Sequence, residues 1–197
     1  MNRSKETVSR IVQSALWLFV RKGYHATSID EIMTRVGLTK GALYAHFRTK
    51  GELLFRIIDI YKVEFMKELM REVEKCEGSA LDKMHLIISF NARFGVEHKD
   101  LISFLSSLNA DLKADVDFEP ALKKIYREYQ QFLSKIIGQG IKQGEFKKDL
   151  NPDIAALIFI GTQDGIMHQW LLNRERVDGV LYIRTFRNLF MNGLLKN

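Results

Sequence analysis

The chain has 197 residues, 46% of them hydrophobic, and only two prolines, so it can bury a sizeable core of packed helices, which excludes disorder and a β-sandwich. Its single cysteine, Cys76, excludes an internal disulfide and a cysteine-based zinc site within one chain and suits a reducing compartment, so the cytoplasm is expected. Charge is segregated: residues 1–50 hold nine Lys and Arg against three acids, an excess equal to the +6 of the whole chain, and that placement points to a polyanionic partner.

Val8, Ile11, Val12, Ala15, Leu16, Phe19 and Val20 recur at helical spacing, predicting a first helix that stops at Gly23. Ser28 and Glu31 form a capping-box pattern, and the second helix buries Ile29, Ile32, Met33 and Val36 before Gly37, which can adopt the positive φ of a tight stop. Thr39 can cap a third helix over 40–47, anchored by Leu43 and Phe47, with Lys40, Gly41, Tyr44 and the edge residue His46 facing outward. Thr49 and Glu52 repeat the capping pattern and open a fourth helix running to Cys76, a rod of about 36 Å at ~1.5 Å per residue.

Further helices are predicted near 80–95, 98–112, 118–143, 152–173 and 178–195, with breaks at 97–99, 115–120, 144–152 and 173–178. The longest apolar stretch, Ile154 to Gly161, is far short of the ~20 residues of a membrane span, and no apolar run precedes Ile11. Neither a membrane partner nor a secretion signal is expected. The expected fold is all-α, about nine helices in total: a three-helix helix-turn-helix domain over 1–50 and a larger helical domain over 51–197.

The N-terminal residues resemble the TetR family of bacterial transcriptional regulators. The resemblance rests on Phe19, Gly23 and Tyr24, then Thr27, Ser28, Ile29 and Ile32, then Gly37, Leu38, Thr39, Gly41, Leu43, Tyr44, His46, Phe47, Lys50 and Leu53. Asp164–Gly165 and Gln169–Trp170 add a weaker match in the penultimate helix. The resemblance implies a homodimer whose third helix enters the major groove of a palindromic operator. It further implies that the last two helices form the dimer interface and the middle ones enclose a pocket for a small hydrophobic or amphipathic effector. Binding of that effector would spread the reading heads and release the operator. A repressor is expected on the family's habits, and no cofactor.

Sorted by chemistry, Lys50 at a helix N-terminus is a phosphate candidate, and Thr27, Ser28, Tyr44 and His46 can donate to backbone oxygens as their family counterparts do. Thr39 and Lys40 are base-reading candidates on the first turn of the inserted helix, where Gly41 permits close approach. Ser28 as a mere N-cap, Tyr44 packed on the first helix, His46 bonding a helix end and Arg3, Lys5 and Arg10 as a solvated arm are the competing roles.

In the larger domain, Phe90, Phe94, Phe104, Leu108 and Tyr129 could line the effector pocket or form a plain core. Arg93, Gln163, Asp164, Met167 and His168 are the further pocket candidates, and an inward Arg93 would favour an anionic head group. Asp164 and His168 are i,i+4, but two ligands define no metal site, and no metal is expected. Ile154, Leu157, Ile158, Gly161, Gly165, Leu189, Phe190 and Leu194 form the expected dimer interface, the two glycines permitting close helix approach; packing within one subunit is the alternative. Two other classes stay open. An enzyme has no nucleophile elbow, phosphate loop or zinc spacing to support it, and a nonspecific DNA-binding protein would not need a neutral body.

Overall fold

A computed structural model describes residues 2–110 and 119–195. The described chain is helical, its one departure an isolated bridge between Phe146 and Leu195. α1 (Asn2–Lys22), α2 (Ile29–Val36), α3 (Lys40–Tyr44) and α4 (Lys50–Tyr61) come first. A π-helical segment (Lys62–Lys67) leads into α5 (Glu68–Glu74), followed by α6 (Ala80–Glu97), α7 (Lys99–Ala110), α8 (Glu119–Gln143), α9 (Pro152–Asn173) and α10 (Gly179–Leu194). With α4, the π segment and α5 counted as one rod, the described residues form nine helices. The expected break at 115–120 lies largely outside them.

Local chemistry sets these boundaries. Ser28 and Glu31 complete their capping box, and Gly37 at φ 71° ends α2 with its N–H on the Met33 and Thr34 carbonyls. At α4 the box is not reciprocal: Thr49 Oγ1 accepts from Glu52 N–H, but the Glu52 carboxylate reaches one residue further back, to Arg48 N–H at 2.8 Å. Ser79 with Asp82 supplies a full box for α6, and Asn151 and Asp178 cap α9 and α10.

Two expected helices differ. The third was expected over 40–47 but ends at Tyr44, because a tight turn at Ala45–His46 carries Phe47 into the core, with Phe47 N–H on Leu43 O at 2.7 Å. The rod was expected as one α-helix but contains the π segment, whose i→i+5 bonding accommodates an extra residue and buries Phe65 and Met66 side by side. The apolar spacing of Ile58, Tyr61, Phe65 and Leu69 fits an unbroken α-helix and conceals it.

The chain forms two compact units, Met1–Glu64 with Asp100–Leu122 and Phe65–Lys99 with Lys123–Asn197. The first boundary falls inside the π segment. The first unit, the head, packs α1, α2 and α4 around Ile11, Ala15, Phe19, Ile32, Leu43, Leu53 and Leu54. The second, the body, is centred on Leu69, Met84, Ile87, Leu133, Ile137, Phe146 and Phe159. Among the described residues no helix is long and apolar enough to cross a membrane.

Candidate nucleic-acid interface and effector cavity

The turn Gly37–Thr39 sets α3 on the surface of the head. Leu43 and Phe47 hold it inward, while Thr39, Gly41, Tyr44 and His46 are exposed, Tyr44 by 53%. Thr39 Oγ1 caps α3 by accepting from Ala42 N–H, and a Cβ at Gly41 would meet only that oxygen, at 3.9 Å. One face of a short helix is thus open to close approach. The Lys40 side chain lies outside the described structure, as does that of Arg3.

Two candidates are engaged within the head. Thr27 is 1% exposed and its hydroxyl donates to Gly23 O at 2.9 Å, so it braces the α1–α2 loop and presents no outward donor. The Lys50 ammonium donates to Tyr24 O at 2.9 Å, Thr27 O at 3.0 Å and His25 O at 3.4 Å, and lies 4.4 Å from the centre of the Tyr24 ring. An ammonium has three N–H donors, and here three carbonyls receive them. Lys50 therefore staples the loop to the start of α4. Ser28 is exposed, but its hydroxyl is engaged with Glu31.

Other cations are tethered as well. Arg10 donates to Val36 O at the C-terminus of α2, where helix carbonyls lack intrahelical partners. Arg21 and Arg35 lie over the Trp17 ring at 4.0 and 3.5 Å. Lys22 pairs with Glu31 and, as the largest cause, with Ser28 N–H next, holds that carboxyl down at about 2. Carbonyls and rings fix Lys50, Arg10, Arg21 and Arg35 without cancelling their charge, while Lys22 is matched by a carboxylate, so the head keeps its positive field. Apart from the i,i+4 contact of Arg21 with Trp17 within α1, these partners lie far along the chain or on a neighbouring helix, which hid them from the sequence.

The body contains a cavity of about 580 Å³, within the usual range for small-ligand sites. α6 lines it with Ala92, Arg93, Val96 and Glu97, α9 with Ile166, Met167 and Trp170, and the start of α10 with Asp178, Gly179, Val180, Tyr182 and Ile183. Its walls are mainly apolar. Arg93 bonds Glu72 at 2.8 Å, so the one cation among these lining residues already has an anionic neighbour.

Of the pocket candidates, Arg93 and Met167 line this cavity. Phe90, Phe94 and Tyr129 instead converge on Phe65, with ring centres 5.1 to 5.7 Å from it, and form core. Phe104 belongs to the head, stacked on Phe19 at 5.4 Å, which removes it from any site within the body. Leu108 lies on α7 with its side chain outside the described structure. His168 is exposed and absent from the cavity lining. The aromatic candidates bury one another, whereas aliphatic Val96 and Val180, both largely exposed, line the cavity.

Gln163 is half-buried, while Asp164 keeps part of its surface exposed. Tyr126 donates to Asp164 Oδ2 at 3.4 Å, and desolvation pushes the Asp164 carboxyl up to about 6 against that bond. Tyr129, one turn on, accepts from Asn91 Nδ2 at 2.8 Å, and burial raises its phenol. Asn91 Oδ1 and Gln163 Nε2 are buried without hydrogen-bond partners. Among the described residues no group of three or more His, Cys, Asp or Glu could hold a metal ion.

Ile154, Leu157 and Ile158 are exposed by 49 to 57% and Leu189 by 72%. Gly161 and Gly165 are exposed too, and a Cβ on either would meet nothing. Phe190 is half-buried against Phe159 and Phe186, and Leu194 is buried, so these two belong to the internal side of α10.

A basic head offering one face of a short helix after a glycine turn, on a helical body with its own cavity, defines a DNA-binding transcriptional regulator. Residues 11–57 match the family of bacterial regulatory proteins, tetR family, and residues 61–193 match the C-terminal region of YsiA-like proteins. The chain belongs to the TetR family. It is 22% identical to the fatty acid metabolism regulator protein of Bacillus subtilis over 98% of both chains. Among solved structures, the MbdR regulator from Azoarcus sp. CIB is 28% identical, with a TM-score of 0.86 over 96% of this chain and 100% of that one. The transcriptional regulator FadR from Bacillus subtilis in complex with stearoyl-CoA is 22% identical, with a TM-score of 0.80 over 94% of this chain and 98% of that one.

Proposed function

We propose that this regulator is a cytoplasmic homodimeric repressor, not an enzyme, that binds an inverted-repeat operator and releases it on binding an amphipathic acyl compound. The observation that carries the DNA reading is the exposed face of α3. Thr39 and Lys40 read base edges from its first turn, Gly41 permits approach, and Tyr44 and His46 donate to phosphate. Thr27, Ser28 and Lys50 act one step behind, holding the α1–α2 loop and the start of α4 in register.

The dimer reading rests on α9. Ile154, Ile158, Gly161, Gly165, His168 and Leu172 recur at alternating spacings of four and three, all exposed, which is the stripe of a helix that packs along a partner helix. The opposite side of α9 buries Ala155, Ala156, Phe159 and Ile160, so the helix is apolar both inward and outward. The acyl reading rests on the apolar cavity and is supported by the relatives concerned with fatty acid metabolism and stearoyl-CoA.

Selection of bound sequences from random duplex DNA by the purified protein tests the DNA reading. The expected product is an inverted repeat with half-sites about one helical turn apart. Weak binding without enrichment, vanishing as salt rises, would overturn it.

A further inference from the structure

Two buried amide groups lie one helical turn from the Met167 wall of the cavity, on α6 and α9. A Cβ at Gly95 would overlap the Met167 methyl group, so the Met167 side chain lies directly on the bare backbone of α6. One turn back along α6 from Gly95 is Asn91, and one turn back along α9 from Met167 is Gln163. α8 ties these levels together, because Tyr126 bonds Asp164 and Tyr129, on the same face, bonds Asn91. Asn91 is 8% exposed, and its Oδ1 has no donor; Gln163 Nε2 is buried with no acceptor. The Asn91 amide directs its nitrogen to the Tyr129 hydroxyl, which leaves the oxygen as the orphaned acceptor; exchanging the two ends would orphan the nitrogen instead.

A buried acceptor and a buried donor left unmatched are each unfavourable, and a ligand that supplies both complements recovers that energy. Methionine is unbranched and turns about three bonds, so it can open or close the space over Gly95 with little rearrangement.

We infer that Asn91 and Gln163 form a polar subsite behind a Met167 gate that recognises a carbonyl group bearing an adjacent N–H or O–H on an apolar chain, the carbonyl accepting from Gln163 Nε2 and the N–H or O–H donating to Asn91 Oδ1. This rests on the cavity being the effector site. A simple carboxylate lacks the donor, and an alkyl ester supplies only the acceptor. Chain length is set by the cavity walls, and the identity of the polar group by these two amides.

The test compares octanamide, which carries both groups, with methyl octanoate, which carries only the carbonyl, as calorimetric ligands for the full-length protein. Gln163→Leu removes a side chain whose amide nitrogen bonds nothing and should weaken both probes by about tenfold, the scale of one hydrogen bond in a desolvated site. Asn91→Leu should weaken octanamide by about tenfold and leave methyl octanoate unchanged. If Asn91→Leu does not fold, the Gln163→Leu comparison still decides. Both probes binding wild type with neither variant altering either affinity would overturn the subsite and leave the cavity as the effector site. Neither probe binding wild type would overturn the effector reading, and the subsite with it.

Discussion

In the head, the Lys50 ammonium donates to three loop carbonyls, Arg10 caps α2 and Arg21 and Arg35 clasp Trp17, whereas in the body Asn91 and Gln163 each keep a buried amide atom without a partner. The head ties the polar groups of its loop and helix ends before any encounter, which preorganises the frame that carries α3 for a partner of fixed shape, the DNA groove. The body leaves a deficit that a small molecule can fill, which makes its binding energy available for a change of state. One unit is preorganised and the other poised, and that division suits a regulator that reads with one end and senses with the other.

The comparison can be broken most severely at α9. Ile158→Asp places a carboxylate in the exposed stripe, on a residue 57% exposed in the single chain, so the fold should survive while association fails. Sedimentation should show a monomer, and operator affinity should fall on the order of a hundredfold or more as the two heads cease to act together. A dimer that persists would place the interface elsewhere.

Lys50→Met tests whether the head is held from within. Loss of the ammonium bonds should lower its stability by about 2 kcal/mol, read by urea denaturation. Affinity for operator and random DNA should fall together. Unchanged stability with a salt slope reduced by about one would make Lys50 a plain phosphate contact.

Tyr44→Phe sharpens the other side of the head. Because the ring is half exposed, melting should be unaffected while operator affinity falls by about tenfold. A lowered melting temperature with full DNA affinity would turn Tyr44 into a packing residue.

The smallest effect is expected at Asp164, whose carboxyl is raised to about 6 by desolvation. The folded state holds this proton more tightly than the unfolded chain, so ionisation destabilises the fold fully above pH 6, progressively less as pH falls, and not at all below the unfolded value near 3.8. Asp164→Asn should raise the melting temperature more at about pH 8 than at about pH 5. An equal gain at both would assign the effect to packing.

Features fixed by neighbours along the chain were legible in the sequence: the Ser28–Glu31 box, the stop at Gly37, the outward Gly41, Tyr44 and His46 and the outward Ile154, Leu157, Ile158, Gly161 and Gly165 of α9. Features made by distant residues were not. Lys50 meets carbonyls 23 to 26 positions away, and nothing in its own helix announces them. Phe65, Phe90, Phe94 and Tyr129 pack on one another, while the cavity opens mainly among small and aliphatic residues, with Trp170 and Tyr182, whose meeting depends on how α6, α9 and α10 pack. The π segment was invisible because its apolar spacing also fits an α-helix.

The most direct test of a ligand-responsive regulator is the affinity of the full-length protein for its selected operator, measured by fluorescence anisotropy with and without a saturating long-chain acyl-CoA. The predicted result is a fall in affinity on the order of tenfold to a hundredfold, with the operator reciprocally weakening acyl-CoA binding by the same factor. Identical operator affinity at an acyl-CoA concentration shown by calorimetry to saturate the body would contradict the account.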